Sequence, residues 1–290
     1  MNNYKIKSGL LIALLTFSFA VYGASKSDSL TVVSADWQRS RMADGLELKT
    51  FHFDQEMLFG SKQYISIIEV DFEALSQELK LDVLAIDGLD LTSAVASQAG
   101  ALAAINGSFF NVRPPYNSVD YVRVDGQFVA PNKPHDSGRV STQNGSIVID
   151  GRRVSIVEPA DPIDSEDLIK GEDILTSGPL LKLKGVDQVI RDESHFYGRH
   201  PRTAIAITTD GVVLLITVDG RSDESAGMTI MELQSLVSWL GAKDALNLDG
   251  GGSTTMWTKQ MGIINHPSDN KKFDCEGERK VSNLLVIRAH

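Results

Sequence analysis

Cysteine is nearly absent from this 290-residue chain: Cys275 is the only one. An intrachain disulfide is excluded, and no cysteine–histidine zinc pattern is present. Stability must come from a hydrophobic core, which a chain of this length can bury. The six histidines are scattered without metal-ligand spacing. No lipase-type Gly-x-Ser-x-Gly elbow is present. The one run of three glycines, Gly250 to Gly252, lacks the Gly-Lys-Ser/Thr ending of a nucleotide phosphate loop. Basic residues are outnumbered, 28 against 38 acidic, for a net charge of −10. That balance argues against nucleic acid as a main partner, but it leaves room for an anionic substrate wherever a site concentrates arginine. Internal repeats and low-complexity stretches are lacking too.

What is present begins at the N-terminus. Lys5 and Lys7 give a basic start, Leu10 to Val21 is almost unbroken apolar sequence, and Gly23, Ala24 and Ser25 are small. This is the layout of a secretory signal over residues 1–23, too short in its apolar run for an ordinary membrane-spanning helix. Cleavage after Gly23 is expected, with no stable membrane insertion afterwards. Removing residues 1–23, which hold two lysines and no acid, leaves 267 residues and moves the net charge from −10 to −12. A periplasmic or secreted location follows, and residues 24–290 read as a single domain. The sequence leaves the oligomeric state open.

Four Asp-Gly or Asn-Gly pairs lie between apolar or β-branched runs: Asp125-Gly126, Asn144-Gly145, Asp150-Gly151 and Asp210-Gly211. Such pairs favour two-residue hairpins. The fold class expected is therefore α+β: a mixed, largely antiparallel sheet core with a few packed helices. One helix starts at the capping box Thr229 to Glu232, continues through Ile230, Leu233, Val237 and Leu240, and stops at Gly241. A second spans Thr92 to Gln98, with Gly100 as its stop. Each helix leads into a short strand, 101–105 and 245–248. The last strand is 281–288. Residues 159–173 read as an exposed loop, and 259–278 as a flap.

Candidate site residues sit at strand ends, where sites are built on a rigid sheet. Asp249 closes the strand 245–248 and opens the loop Gly250, Gly251, Gly252, Ser253, Thr254. Glycines there let backbone approach a ligand, and their N–H groups can line an anion-binding concavity; a flexible turn with a capping aspartate is the plainer alternative. Asp219-Gly220-Arg221 ends the strand 212–218 and can hold an anion and a sugar hydroxyl, or form a simple turn. A calcium ion is a further reading of that loop, since Asp223 and Glu224 add hard oxygen ligands; no other cofactor is expected. Arg202 is placed to point inward at a strand start and bind phosphate bidentately, whereas Arg199 reads as solvated. Asn106, followed by glycine and two aromatics, suits sugar binding. Ser177 and Gly178 supply a hydroxyl and a tight turn, and Asn283 lies inside the last strand, where an amide needs a partner.

In this order the pieces resemble the phosphodiester glycosidase family. The matching stretches are A-A-I-N-G-S-F-F-N at 103–111, T-S-G-P-L-L at 176–181, H-P-R-T-A-I-A-I at 200–207 and V-D-G-R at 218–221. They continue with G-M-T-I-M-E-L at 227–233, A-L-N-L-D-G-G-G-S-T-T-M at 245–256 and E-R-K-V-S-N-L-L at 278–285, so that the motif-bearing part is 103–288. Ser108 departs from the glycine frequent in the family and narrows the pocket slightly. The resemblance implies cleavage between a sugar's anomeric carbon and a phosphodiester phosphate, releasing sugar and phosphomonoester. It further implies that Asp249 is the reacting carboxylate, as nucleophile or base, with Asp219 second. Arg202 and Arg221 would hold phosphate, Asn106 and Asn283 sugar hydroxyls, and the glycine loop phosphate or ring. The partner is a sugar-1-phosphodiester or glycan. Two alternatives stay open: a phosphodiesterase breaking P–O, and a non-catalytic polysaccharide-binding protein.

Overall fold

Three of the four turn pairs make hairpins in the computed structural model, which describes residues 26–136, 138–161, 165–190 and 197–289. The signal expected over 1–23 lies outside the described residues. Asp125-Gly126 joins β6 (Val122–Val124) to β7 (Gln127–Ala130), with φ of 49° and 74° at the two residues. That is the conformation a primed two-residue turn demands. Asp150-Gly151 joins β8 (Gly145–Asp150) to β9 (Arg153–Val157), and Asp210-Gly211 joins β13 (Arg202–Thr208) to β14 (Val213–Val218). Asn144-Gly145 is no hairpin. Asn144 follows a 3-10 turn, and its side-chain oxygen accepts the Leu180 N–H at 2.7 Å. Gly145 opens β8, where any Cβ would overlap Leu246.

All strand pairs among the described residues are antiparallel, so the sheet is not mixed as expected, while the α+β class holds. An eight-stranded sheet has the order β1 (Gln38–Ala43), β2 (Leu46–Leu58), β3 (Ser61–Val70), β14, β13, β15 (Ala242–Asn247), β11 (Leu180–Leu183), β12 (Val186–Asp187). A five-stranded sheet has the order β7, β6, β10 (Asp173–Ser177), β8, β9. The third sheet runs β17 (Gly262–Ile263), β16 (Met256–Thr258), β5 (Ala103–Asn106), β18 (Lys280–Ala289), β4 (Leu79–Leu91).

Period-two alternation divides the core. From β13, Ile205 joins a cluster shared by all three sheets, with Ile68, Ile105, Ile147 and Leu285. Its neighbours Ala204 and Ala206 face the other way, against Leu233, Leu236 and Val237 of a helix. Fully buried side chains of this size contribute about 1.5–3 kcal/mol each. The helix is α3 (Ile230–Trp239), and both halves of its capping box are present. α2 (Thr92–Gln98) packs Ala96 on the third sheet beside Leu284 and Val286. α1 (Lys26–Ser34) was not expected from sequence; of its apolar residues, Val32 is buried while Leu30 and Val33 are exposed.

Two further expectations change. Arg199 is not solvated: it bonds Glu232 at 3.1 Å, Ser61 at 2.8 Å and the Phe59 carbonyl at 2.6 Å. Glu232 thus closes the capping box and pairs with Arg199 together. The segment 159–173 is not simply an exposed loop. Its Glu166 is fully buried and accepts from Arg139 at 2.7 Å, Asn132 at 3.0 Å and Thr176 at 3.1 Å. Asp173 opens β10 and receives the Val83 and Asp125 N–H groups at 2.8 and 2.7 Å.

Candidate active site

Because β13 runs antiparallel between β14 and β15, its start lies beside the ends of both. Arg202 pairs with Val218 and Ala204 with Asn247. Arg202, Asp219 and Asp249 therefore share one end of the large sheet. Asn106 brings in the end of β5. Its amide donates to the Asp249 carbonyl at 2.7 Å, while its oxygen accepts from Thr203 at 2.8 Å and from the Thr255 N–H at 3.1 Å. The Asp249 N–H in turn bonds the Gly107 carbonyl at 3.0 Å. Asn283 does the same work one strand over: its oxygen takes the Ser108 N–H at 2.7 Å, and its amide reaches Ser108 and Ser282 at 3.2 and 3.0 Å. Both asparagines are buried and spent on joining strand-end loops, so these amides are not turned outward as sugar ligands. Gly107 must be glycine, since a Cβ would overlap the Asn283 oxygen. Ser177 is fully buried, and Gly178 is tied to β15 through the Asn247 amide at 2.7 Å.

The glycine loop works differently from an open amide cradle. Gly251 N–H donates to the Pro201 carbonyl at 2.8 Å, Ser253 N–H to Gly250 at 3.2 Å and Thr254 N–H to Gly251 at 3.3 Å. These amides are internally satisfied, and Ser253 and Thr254 are buried. What the glycines permit is close approach of guanidinium groups. A Cβ on Gly251, whose φ is +61°, would stand 2.9 Å from a terminal nitrogen of Arg221, and one on Gly252 would overlap Asp269 and Arg279. Arg279 is itself held by Asp269 through two bonds of 2.8 Å.

Asp249 is partly exposed amid this charge. Burial pushes its carboxyl up to about 6, while the Ser253 hydroxyl, Arg279, the Gly250 amide and Arg221 pull the other way. Arg202 is buried and donates to the carbonyls of Met228 at 2.7 Å and Gly198 at 2.9 Å. Burial, then Arg221 nearby, lowers it to about 10, so it remains a cation at neutral pH. Arg221 adopts φ of 64° and reaches Ser268 at 3.4 Å. Asp120 is completely buried and receives the Phe109 N–H at 3.2 Å. Burial holds it well above the usual carboxylate range, and the charge of Asp249 adds to that.

Asp219 lies in the same place but faces inward. It accepts from the His266 N–H at 3.0 Å, His266 Nδ1 at 2.7 Å and Asn265 at 3.0 Å, so it anchors the segment 259–278. His266 stacks on Phe273 at 3.7 Å and meets the edge of Tyr64 at 4.7 Å. Glu224 is paired with Lys62 at 3.1 Å. Of the carboxylates read as calcium ligands, Asp219 and Glu224 are thus engaged by protein partners, and no three His, Cys, Asp or Glu side chains converge on a metal position among the described residues. Arg279, Asp269, His266 and Asp120 were not singled out from sequence. Arg279 stands in the quoted E-R-K-V stretch, yet nothing local ties it to Gly252, 27 positions earlier.

Comparison with known proteins adds the following. The family model described as phosphodiester glycosidase matches residues 99–288. The SPbeta prophage-derived uncharacterized protein YomE of Bacillus subtilis (strain 168) is 48% identical over 89 residues, which is 31% of this chain and 13% of that protein. The chain thus spans only a small part of that relative's length. Among solved structures, the catalytic domain of zebrafish N-acetylglucosamine-1-phosphodiester α-N-acetylglucosaminidase, auto-inhibited by its pro-peptide, shares the fold with a TM-score of 0.66. It is 21% identical, with 88% of each chain covered. A hypothetical protein from Synechocystis has a TM-score of 0.62 at 16% identity, covering 89% of this chain and 64% of that one.

Proposed function

Since the chain belongs to the phosphodiester glycosidase family, we propose that it is an exported hydrolase that cleaves the sugar C–O bond of a sugar-1-phosphodiester. The observation that carries this reading is the Asp249 carboxyl, its proton affinity raised by burial, with the charges of Arg279 and Arg221 acting on it beyond the end of β15. The guanidiniums hold the phosphate. Asp249, ionised, acts on the anomeric carbon directly or through a water molecule. In either case the C–O electron pair departs with the phosphate, water supplies the new sugar hydroxyl, and a free sugar and a phosphomonoester result. The leaving phosphomonoester has a second pKa of about 6, so a strong general acid of the usual glycosidase kind is unnecessary. Asp219 serves by positioning His266 and the segment above the loop. The basic start, apolar run and small residues at 1–25 support action in the periplasm or outside the cell, on envelope or extracellular glycan.

The test is a panel of α-sugar-1-phosphodiesters assayed for released sugar. Turnover by the wild type, abolished in Asp249→Asn, is the expected result. Glycan binding without turnover across the panel would leave a binding protein in its place.

A further inference from the structure

A cavity of about 330 Å³ is lined in part by Asn283, the residue that ties β18 to Ser108. Its wall includes Asp87, Tyr116, Asn117, Ser118, Ser282 and Asn283. Asn283 and the segment 108–119 are shared between cavity and candidate active site. Ser108 bonds Asn283, and the chain then leaves through Phe109, turns at 113–116 and returns at Val119, whose N–H bonds the Phe109 carbonyl at 3.0 Å. The returning arm is fixed by Asn111, which donates its amide to the Asn117 side chain at 2.8 Å and its N–H to the Asn117 carbonyl at 2.9 Å.

The chemistry of this wall is opposite to that beside Asp249. It has no lysine or arginine and one carboxylate, Asp87; the Asn117 amide and the Ser118 and Ser282 hydroxyls stand among apolar residues such as Ile86, Pro115, Val122 and Val129, while the Asn283 amide is already spent on Ser108 and Ser282. Such a wall disfavours phosphate and suits hydroxyl donors. Tyr116 is 41% exposed and stands at φ of 57°, a left-handed conformation that a tyrosine rarely adopts. Its N–H is tied back to the Arg113 carbonyl at 3.1 Å. Backbone held in this region is characteristic of ligand clamps, and an aromatic ring at a cavity mouth offers a face for a sugar ring. The volume lies at the lower end of small-ligand cavities.

We propose that this cavity is a second saccharide subsite, binding a neutral sugar unit of a glycan whose phosphodiester lies at Asp249. This deepens the function proposed above and rests on it for the reaction, though not for the binding. The substrate class is then a phosphodiester-linked neutral oligosaccharide rather than a simple alkyl phosphodiester of one sugar.

Two measurements on the full protein test it. For turnover, a short methyl sugar-1-phosphodiester is compared with one extended by two neutral hexoses. Tyr116→Ala is expected to raise KM for the extended substrate about tenfold and leave the short one unchanged; Asp87→Asn should act in the same direction, about threefold. Equal effects on both substrates, or on neither, would overturn the subsite. For binding, neutral di- and trisaccharides are titrated and followed by NMR. Binding by the wild type, weakened about tenfold in Tyr116→Ala, supports the subsite; absent or unaltered binding overturns it. If the wild type turns over neither phosphodiester, the proposed reaction fails, and the titration still decides the subsite.

Discussion

Two strands of the large sheet, one on each side of β13, lead into the same dipeptide. β14 runs into Asp219-Gly220 and β15 into Asp249-Gly250, and β13 lies between them. Their surroundings make them different groups. Asp219 is buried and fully committed to His266 and Asn265. Asp249 is partly exposed, lies beside Arg221 and Arg279, and has its carboxyl raised to about 6. The difference teaches that an Asp-Gly at a strand end specifies a place, and that what crosses above it specifies a task. Over Asp219 the segment 264–268 closes down; over the glycine loop the lack of side chains admits two guanidiniums.

The sharpest way to break this comparison is to remove the charge from each aspartate. Asp249→Asn is expected to lower kcat by about 10³-fold or more with the fold retained, checked by steady-state kinetics beside circular dichroism. Arg279→Ala comes next. Loss of a charge-assisted contact of about 1.5–3 kcal/mol should raise KM roughly 10- to 100-fold. Asp219→Asn is expected to cost only about tenfold in kcat, through a loosened 259–278 segment that limited proteolysis would reveal. A loss equal to that of Asp249→Asn would mean that the two aspartates do not divide the work.

Titration sharpens the same contrast. If ionised Asp249 acts, kcat/KM falls below a pH of about 6, about tenfold per unit. The stability effect has the opposite sense and is the smallest. Asp249 binds its proton more tightly folded than unfolded, so its contribution is present at low pH and is lost as pH rises from about 4 through about 6. Asp249→Asn should therefore raise stability at pH 8, by roughly 1–3 kcal/mol, and not at pH 3.5; paired thermal melts check it.

How much of this was legible in sequence follows from range. The α3 capping box, the stop at Gly100 and three hairpins involve residues within a few positions of one another, and the chain forms each of them, although only Asp125-Gly126 supplies both central residues of a two-residue turn. The Asp249 loop was visible because three glycines after an apolar strand are conspicuous. Its mode of action was not visible, because the Arg279 and Arg221 contacts span 27 and 30 positions. Asn106 and Asn283 read as sugar ligands because an amide at a strand end offers both donor and acceptor. Their partners Thr255 and Ser108 lie 149 and 175 positions away, and only the folded chain shows those amides to be occupied. Arg199 misled for the same reason: Glu232 is 33 positions on.

The central claim is that the bond broken lies on the carbon side of the bridging oxygen, at Asp249. Hydrolysis of a sugar-1-phosphodiester in ¹⁸O-water, with products read by mass spectrometry, tests it most directly. Label in the released sugar and none in the phosphomonoester is the predicted result; label in the phosphate would contradict it.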